Sequence, residues 1–405
     1  MDMTLPLSVP HQARRASLWG RLLGGMFGPA GAGSLLIEGR DQPILIRQGM
    51  EEGPQATIRI ERMRAIRRAM LGGEQGAARA FIDGDWTSPD LVEACRYFAR
   101  NDPGEPWPLL AAPRRWLERA RHLLNANTRR GSRRNIEFHY DLGNDFFRLW
   151  LDESMAYSSA LWRRPDDSLA QAQRNKLERV ADLLGDMQGR SVLEIGCGWG
   201  AQARLLGERG ASVKGITLSP SQLAHAQEVI AGSGLTDRVE LVLQDYRDQQ
   251  GQFDAIVSIE MAEAVGEANL PGYFETVRRN LKPGGRAVLQ VITIAEDRLD
   301  SYRRRPDFIQ RFVFPGGFLP SRQLLTDKAA AAGLTLEHSE SFGQSYARTL
   351  AEWRQRFDAA WPQIAAQGFD ERFRRLWTYY LCYCEAGFAE SAIDVGFFVL
   401  KRGGD

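Results

Sequence analysis

The chain has 405 residues, which is enough for two domains, because a single hydrophobic core usually stops growing near about 250–300 residues. Apolar residues make up 43% and charged residues 25% of the chain, the ordinary balance of a soluble globular protein. The formal net charge of +1 indicates no particular partner, and no uncharged apolar run reaches the roughly 18 residues of a membrane span, so we expect any membrane contact to be peripheral.

The cysteines and the N-terminus indicate a cytoplasmic setting. The four cysteines are too few and too scattered for a disulfide framework, and they lack the paired clusters of a zinc site, so we expect no metal. The N-terminus lacks the long apolar run of a secretory signal. We therefore expect a cytoplasmic protein that associates peripherally with the inner face of the membrane.

Residues 1–112 predict a small N-terminal α/β domain that ends in a proline-rich linker. A lead-in over residues 1–34 is rich in glycine, alanine and arginine, and the linker begins at Asn101. The unit between them leaves two roles open, lipid binding and formation of a homodimer. Its strand-like runs are Ser34–Ile37, Pro43–Arg47 and Ala56–Ile60, and its helical runs are Met63–Leu71, Gly76–Phe81 and Asp90–Arg100.

An arginine-rich stretch follows the linker. Residues 114–134 hold eight arginines against one acid, Glu118, with tryptophan and leucine residues between them. Such a stretch is either a solvated helix with a basic loop or a surface that docks on anionic lipid, where each basic residue adds about 1 kcal/mol. Nucleic acid is a third partner of such stretches, but no nucleic-acid-binding motif accompanies the arginines, and we expect none to bind.

Strands and helices alternate from about residue 190 onward, within a second domain that spans 113–405. This alternation predicts a doubly wound, mostly parallel sheet. The predicted strands are Ser191–Ile195, Val213–Thr217, Val239–Gln244, Phe253–Ile259, Arg286–Ile292, Gly333–Glu337 and Val395–Lys401. The predicted helices are Ala201–Arg209, Pro220–Ala231, Pro271–Leu281 and Ser321–Ala332, with a turn at Lys282–Gly285.

A glycine-rich loop joins the first of these strands to the next helix. Residues 192–200 read V-L-E-I-G-C-G-W-G, so that Glu194 lies on the strand just before three glycines. Glycines let the backbone approach a ligand closely, and ligands of such sheets bind at the carboxyl ends of strands. The G-x-G-x-G spacing differs from that of dinucleotide folds, and Thr217 stands where those folds place an acid for the ribose. The pattern therefore disfavours a nicotinamide cofactor.

The third predicted strand ends in Gln244-Asp245-Tyr246. A carboxylate at this position suits the exocyclic amine of adenine, and Tyr246 could border the ring, although Asp245 could equally be an acid that caps a turn. Together, Glu194, the glycine loop and Asp245 favour S-adenosylmethionine as the cofactor.

Several longer motifs resemble the cyclopropane-fatty-acyl-phospholipid synthase family. They include F-H-Y-D-L-G-N-D-F-F at 138–147, Y-S-S-A at 157–160, T-L-S-P-S-Q at 217–222, F-V-F-P-G-G-F-L-P at 312–320 and S-F-G-Q-S-Y at 341–346. The resemblance covers most of the chain from about residue 135 to the end. It implies a Rossmann-like class I methyltransferase with a seven-stranded, mostly parallel sheet, preceded by a small N-terminal α/β lipid-binding domain.

The resemblance also implies a reaction and a cofactor site. The methyl group of S-adenosylmethionine would be transferred to the double bond of an unsaturated fatty acyl chain in a membrane phospholipid, forming a cyclopropane. The residues that would bind the cofactor are Tyr157, Ser158, Glu194, Gly196, Cys197, Gly198, Gly200, Thr217, Leu218, Ser219, Gln222, Gln244, Asp245 and Tyr246.

This reaction needs a base, because methyl transfer puts positive charge on the acyl chain and a proton then leaves. Glu263 follows a buried strand at its carboxyl end and could be that base or hold it, although an acid at a helix N-terminus is the ordinary alternative. In the family that the chain resembles, the matching glutamate helps to hold a bicarbonate ion that serves as the base. The resemblance adds Tyr346, the backbone of Ile292 and Cys384 to the same pocket.

The chain departs from the family's pattern in that pocket. Ser159 replaces a cysteine, Gln290 replaces a histidine, and Ala264 stands where histidine is common. Serine and glutamine can hydrogen-bond an anion, but neither takes a positive charge as histidine does. These departures leave two questions open: whether bicarbonate is used, and whether the product is a cyclopropane or a methylene or methyl-branched chain.

Three functions therefore compete. The first is the lipid methyltransferase, whose partners would be phospholipid acyl chains, an anionic membrane surface and a second copy of the chain. The second is a small-molecule C- or N-methyltransferase, which the motifs beyond the cofactor loop disfavour. The third is a catalytically silent lipid-binding protein, which the complete cofactor loop, Glu263 and Tyr346 disfavour.

Overall fold

The structure, a computed structural model, describes residues 31–40, 42–101 and 142–404. Residues 1–30 of the predicted lead-in, the arginine-rich stretch at 114–134 and the start of the F-H-Y-D-L-G-N-D-F-F motif lie outside these residues. The predictions made for them, including the anionic membrane surface at the arginines, therefore stay predictions. The end of the lead-in is corrected, because residues 32–34 already belong to a strand.

The N-terminal unit is a four-stranded sheet packed against two helices. Alternate side chains of its longest strand are buried against the helices, as expected for a sheet covered on one face. The strands predicted from the sequence are confirmed, and a short fourth strand joins them. In the order β2-β1-β3-β4 the strands are β1 (Ala32–Glu38), β2 (Pro43–Gln48), β3 (Glu51–Ile60) and β4 (Trp86–Thr87), and the helices are α1 (Arg64–Ile82) and α2 (Leu91–Arg100).

Helix α1 is interrupted at Gly73, whose φ of +54° and ψ of −144° are not helical. This positive φ favours glycine over any residue with a side chain. The sequence predicted two helical runs, Met63–Leu71 and Gly76–Phe81, and the structure joins them into one helix with this break. The break places Gly72 and Gly73 against the cavity described below.

The larger unit is built on the predicted seven-stranded sheet. Its strand order is β10-β11-β9-β8-β5-β6-β7, and in the described part of the chain only β11 runs antiparallel to its neighbours. The central strands are mostly apolar and largely buried because helices cover both faces of the sheet. The strands are β5 (Ser191–Ile195), β6 (Ser212–Thr217), β7 (Val239–Leu243), β8 (Phe253–Ile259), β9 (Leu281–Ile294), β10 (Leu334–Ser341) and β11 (Ile393–Arg402).

The helices of this unit begin at predictable caps. The side chains of Ser168, Ser219 and Ser321 each accept a hydrogen bond from a backbone N–H in the first helical turn. Of the described helices, none is both long and apolar enough to cross a membrane. The helices are α3 (Asn144–Arg148), α4 (Leu169–Leu184), α5 (Ala201–Glu208), α6 (Pro220–Gly232), α7 (Ala262–Val265), α8 (Leu270–Asn280), α9 (Glu296–Arg304), α10 (Phe308–Phe312), α11 (Arg322–Ala331), α12 (Gly343–Ala366) and α13 (Glu371–Ala389).

The turn predicted at Lys282–Gly285 is corrected by the structure. Strand β9 already begins at Leu281, which pairs with Phe253 of β8, and the pairing resumes at Arg286 opposite Ala255. The four residues between form an irregularity inside the strand, with Gly284 at a φ of +75°. A pattern of proline and glycine signals such a bulge as strongly as it signals a turn.

The order of the strands places a crevice beside β5. The chain passes from β5 outward to β6 and β7 and then returns to β8 on the other side of β5. At such a switch point the connections leave in opposite directions, and the carboxyl ends of the two strands border an open crevice. Glu194 on β5 and Glu260, directly after β8, both lie at this edge.

The N-terminal unit packs directly on α13 of the larger unit. Buried residues of both units form one continuous hydrophobic cluster. Arg375 on α13 donates to the backbone oxygens of Phe81 at 2.6 Å and Trp86 at 2.9 Å, and its guanidinium lies 4.4 Å from the Phe81 ring centre. This arginine therefore fixes the turn that carries β4 against the larger unit.

We expect the Arg375→Ala variant to lose about 2–3 kcal/mol of stability, because two hydrogen bonds from a charged donor are removed. Arg372→Ala is the matched control, since its ion pair with Asp83 involves an arginine side chain that is 58% exposed and should contribute little. Urea denaturation measures the loss of stability in each variant. Hydrogen exchange should show faster opening of β3 and β4 in the Arg375 variant alone. Equal effects of the two variants would contradict this assignment.

Candidate active site

A cavity of about 770 Å³ opens at the crevice beside β5 and extends to the N-terminal unit. This volume is within the range of small-molecule and cofactor sites. The lining of the cavity includes the glycine loop, Glu260 and Tyr346 of the larger unit and side chains such as Ile58 and Met70 of the N-terminal unit. The cavity therefore joins the sheet edge to an apolar compartment.

The glycine loop adopts the open conformation that the sequence predicted. Gly196 and Gly200 have φ values of +84° and +87°. A Cβ atom at Gly200 would lie only 3.1 Å from the Cβ of Ala226, so the residue is also required for close packing of α5 on α6. The loop thereby presents the backbone of residues 196–199 to the cavity.

A buried carboxylate and a buried ammonium face each other beside this loop. Burial raises the pKa of Glu194 to about 8, and burial lowers the pKa of Lys176 on α4 to about 8. The Lys176 Nζ donates to the Ser158 hydroxyl at 2.7 Å. Sequence reasoning missed Lys176, although a lysine inside an amphipathic helix was a usable signal in a chain with only five lysines.

These residues fit S-adenosylmethionine. The Oε2 atom of Glu194 is buried and has no hydrogen-bond partner among the described residues, so it is available to accept from the cofactor's ribose hydroxyls. Bound S-adenosylmethionine supplies an electrophilic methyl group on a cationic sulfonium. The nearby carboxylates compensate that charge, since an opposite charge favours the ionised form of a buried acid.

The other predicted cofactor residues gather at the same end. All of the predicted set except Gly200, Ser219 and Asp245 line the cavity. The Thr217 hydroxyl donates to the Gln222 side chain at 3.1 Å, and the Tyr157 and Tyr380 hydroxyls lie 2.8 Å apart. The side chains are therefore held in place by one another before any ligand binds.

Asp245 is engaged elsewhere in this structure. Its carboxylate accepts from the Arg247 guanidinium at 2.6 Å and 2.9 Å and from the Arg247 backbone N–H at 3.0 Å. This is the arrangement of a turn-capping acid, and Tyr246 and Arg247 line the cavity in its place. The predicted contact of Asp245 with adenine stays a prediction.

Glu260 is the polar centre of the cavity, and sequence reasoning assigned it no role. Its Oε1 atom accepts from the Ser159 backbone N–H at 2.8 Å and from the Gln290 side-chain amide at 2.7 Å. Its Oε2 atom accepts from the Tyr346 hydroxyl at 2.8 Å. The residue has a φ of +48°, a strained value for a side chain of this size.

Glu263 lies in the same cavity but has a different environment. Its Oε1 atom accepts from the Ile292 backbone N–H at 2.5 Å, and its buried Oε2 has no partner in the part of the chain that the structure describes. Burial, and next the charge of Glu260, raise the pKa of Glu263 to about 8. Glu263 therefore holds its proton to a higher pH than an ordinary glutamate does.

The remaining predicted catalytic residues are close to these two acids. Tyr346 stacks on Phe388 with a distance of 4.4 Å between ring centres, and Cys384 borders the cavity as a thiol because burial raises its pKa. The Ser159 hydroxyl donates to the backbone oxygen of Ala160, so that only its N–H faces the cavity acid.

Bicarbonate does not fit this pocket. Ser159, Gln290 and Tyr346 are among the groups that the resemblance assigned to the anion, and all three donate to Glu260. The position that the resemblance gives to the free anion is therefore filled by a side chain of the protein itself.

The doubly wound sheet, the glycine loop after β5 and the buried acid beside it define a class I S-adenosylmethionine-dependent methyltransferase. A solved structure with the same fold is that of mycolic acid cyclopropane synthase CmaA1 complexed with SAH and CTAB. It superposes with a TM-score of 0.62 and 32% sequence identity, over 67% of this chain and 98% of that one.

The family model for mycolic acid cyclopropane synthetase matches residues 127–398, and the chain belongs to this family. Tuberculostearic acid methyltransferase UfaA1 of Mycobacterium tuberculosis is 38% identical over 350 residues, which cover 84% of this chain and 81% of the relative. The cyclopropane-fatty-acyl-phospholipid synthase of Escherichia coli (strain K12) is 36% identical over 349 residues, which cover 86% and 88%. The protein is thus an S-adenosylmethionine-dependent methyltransferase.

We expect Glu194→Gln to weaken S-adenosylmethionine binding by about 10–100-fold, because the amide presents a donor where the carboxylate accepts from hydroxyl donors. Glu208→Gln on α5 is the control, since its ion pair with Arg204 is exposed and lies on the outer surface. Isothermal titration calorimetry measures both affinities. An unchanged dissociation constant in the Glu194 variant would place the cofactor elsewhere.

We expect Glu263→Gln to be more stable than the natural chain at pH 8.5 and to lose this advantage at lower pH. The folded state holds a proton on Glu263 up to about pH 8, whereas the unfolded chain releases it near its ordinary pKa, so stability falls as the pH rises through this window. Glutamine has no proton to release, and the difference at pH 8.5 should be on the order of 1–3 kcal/mol. Urea denaturation at pH 5.5, 7 and 8.5 tests the trend, and a difference independent of pH would contradict it.

Proposed function

We propose that the protein transfers the methyl group of S-adenosylmethionine to the double bond of an unsaturated fatty acyl chain in a membrane phospholipid. The observation that carries the proposal is that one cavity is lined by the cofactor loop, by Glu260 and by many apolar side chains of both units. The names of the relatives support an acyl substrate, since one is a tuberculostearic acid methyltransferase and another a cyclopropane-fatty-acyl-phospholipid synthase.

The apolar compartment favours a long hydrocarbon chain over a small polar substrate. A small substrate would leave much of this surface uncovered, whereas an alkyl chain removes it from water at about 25 cal/mol per Å². The side chains of the N-terminal unit that form its wall are Ile37, Ile58, Ile60, Ile66, Met70 and Phe98.

The rim of the cavity favours a phospholipid at a membrane surface. Arg298, Arg304 and Arg305 line it, and Leu71 beside the α1 break is 64% exposed. A hydrogen bond of 2.5 Å from the Gln75 side chain to the Pro306 backbone oxygen joins the α1 side of the rim to the arginine side. Arginine suits a phosphate, and an exposed leucine suits acyl chains, so the two together support peripheral binding to an anionic bilayer.

The site contributes positioning, water exclusion and stabilisation of charge. An isolated alkene is a poor nucleophile, so the reaction depends on holding it against the methyl group in a dry cavity. The rings of Tyr346, Tyr380 and Phe388 border the cavity and would stabilise a cation on the acyl chain by roughly 0.5–2 kcal/mol each.

Ring closure to a cyclopropane is the product that we propose first, and a methylene or methyl-branched chain is the second candidate. The second is favoured by the 38% identity to a tuberculostearic acid methyltransferase and by Ser159 and Gln290, which replace residues of the cyclopropane pattern. After methyl transfer, loss of a proton from the new methyl group closes the ring, whereas a hydride shift before proton loss gives an alkene.

We expect cells that express the protein to accumulate phospholipids whose monounsaturated chains have gained the mass of one CH2 group. Lipid mass spectrometry detects the gain, and hydrogenation then separates a ring from a methylene group. Ala69→Trp, which narrows the cavity, should lower this gain at least about 10-fold without changing cofactor affinity. Ala231→Trp on the surface of α6 is the control. If the natural chain binds the cofactor but leaves the lipids unchanged, the proposal of an acyl substrate is contradicted.

A further inference from the structure

The three donors around Glu260 form an anion pocket that is already occupied. They come from three separate elements: the loop before α4 supplies the Ser159 N–H, β9 supplies Gln290, and α12 supplies Tyr346. A carboxylate and a bicarbonate ion each present a planar pair of oxygen atoms. The same hydrogen-bond donors can therefore bind either group. The structure fills the pocket with a side chain, and these three described donors are all directed at the Glu260 carboxylate.

Burial raises the pKa of Glu260, and the donors around its carboxylate oppose this rise more than the single backbone donor Ile292 does at Glu263. Each polar contact made by the Glu260 carboxylate is with a donor, and the buried Lys176 ammonium adds a favourable charge. Glu263 accepts a single backbone hydrogen bond from Ile292, as described above. When two neighbouring buried acids share one charge, the acid with more donors holds it.

The backbone at Glu260 is held in a conformation that a free loop would avoid. Its positive φ is fixed from both ends of the residue, since the Glu260 N–H donates to the backbone oxygen of Gln290 at 2.8 Å while the Gln290 side chain donates to the carboxylate. Backbone strain that the surroundings enforce at a cavity wall points to a functional position. The carboxylate is therefore held rigidly at the cavity surface.

We propose that Glu260 is the catalytic base of this enzyme and that it takes the place of a bound bicarbonate ion. The proposal rests on the acyl methyl transfer proposed above and adds the group that completes it. Because the base is part of the chain, turnover does not depend on dissolved bicarbonate.

Glu260 is the only proton acceptor that this reaction needs. The alkene's π pair forms the new carbon–carbon bond, the pair of the broken carbon–sulfur bond stays on sulfur, and one positive charge remains on the acyl chain. Loss of a proton from the chain to Glu260 leaves a C–H electron pair that closes the ring or forms the new double bond. The proton then leaves to solvent between turnovers, which restores the carboxylate.

The experiment compares Glu260→Gln with Glu263→Gln on monounsaturated phospholipid vesicles in buffer depleted of bicarbonate. The natural chain should turn over at the same rate with and without added bicarbonate. Glu260→Gln should lose about 10²–10⁴-fold in kcat with cofactor affinity retained, and Glu263→Gln should lose less. A natural chain that requires bicarbonate, or a Glu260→Gln variant with full turnover, would overturn the proposal.

Glu260→Gly supplies an independent measurement, because glycine accepts the positive φ without strain and empties the pocket. We expect this variant to be inactive in depleted buffer and to regain turnover in a saturable manner as bicarbonate is added. A rate that bicarbonate leaves unchanged would show that Glu260 does not occupy an anion pocket. If the natural chain alkylates no lipid, the proposed acyl methyl transfer is wrong. If the natural chain is active and the Glu260 variants turn over normally, only the proposed role of Glu260 as the base is wrong.

Discussion

The burial of several ionisable groups in one dry cavity is the constraint on which the site depends. Glu194, Glu260, Glu263 and Lys176 are all removed from water, and a buried charge is costly unless it is paired or hydrogen-bonded. Three donors hold Glu260, burial favours the protonated form of Glu263, and the Lys176 ammonium interacts favourably with both Glu260 and Glu194. A bound cation would add a further favourable interaction with these acids.

The need to keep water out connects the two units. The sheet supplies the cofactor loop and the acids. The N-terminal unit, whose core is continuous with α12 and α13, supplies further lining of the same cavity. The contacts that join the units are specific: Arg375 reaches the β4 turn, Arg96 reaches Glu390 at 2.7 Å, and Arg298 reaches the Ala99 backbone oxygen at 2.7 Å. The cofactor loop thus belongs to the larger unit, whereas both units contribute apolar side chains to the cavity proposed for the hydrocarbon chain.

The sequence was informative wherever function depends on local pattern. The segment E-I-G-C-G-W-G at the end of an apolar strand was enough to predict the cofactor loop. The seven strands of the sheet were predicted from apolar runs that alternate with helical segments. The role of Glu260 was not predicted from the sequence, because it depends on contacts with Ser159, Gln290 and Tyr346. These residues are distant in the sequence, so no local pattern contains the contacts. The sequence does contain a partial signal, because Glu260 is a second acid three residues before Glu263, and Ser159 and Gln290 stand where the family pattern has cysteine and histidine. Asp245 shows the opposite case, in which a suggestive acid is bound by its neighbour Arg247.

A base that belongs to the chain also changes what determines the product. A free anion can shift within its pocket, whereas the oxygens of Glu260 are held by three donors and a strained backbone. Before a hydride shift, the cation can lose a proton from the new methyl group. After the shift, it can also lose a proton from a neighbouring carbon of the chain. Which of these protons meets the fixed carboxylate first is therefore decided by where the acyl chain lies. Ile58, Ile60 and Met70 line the cavity proposed for the chain, so under this proposal the N-terminal unit would influence product choice as well as the acids.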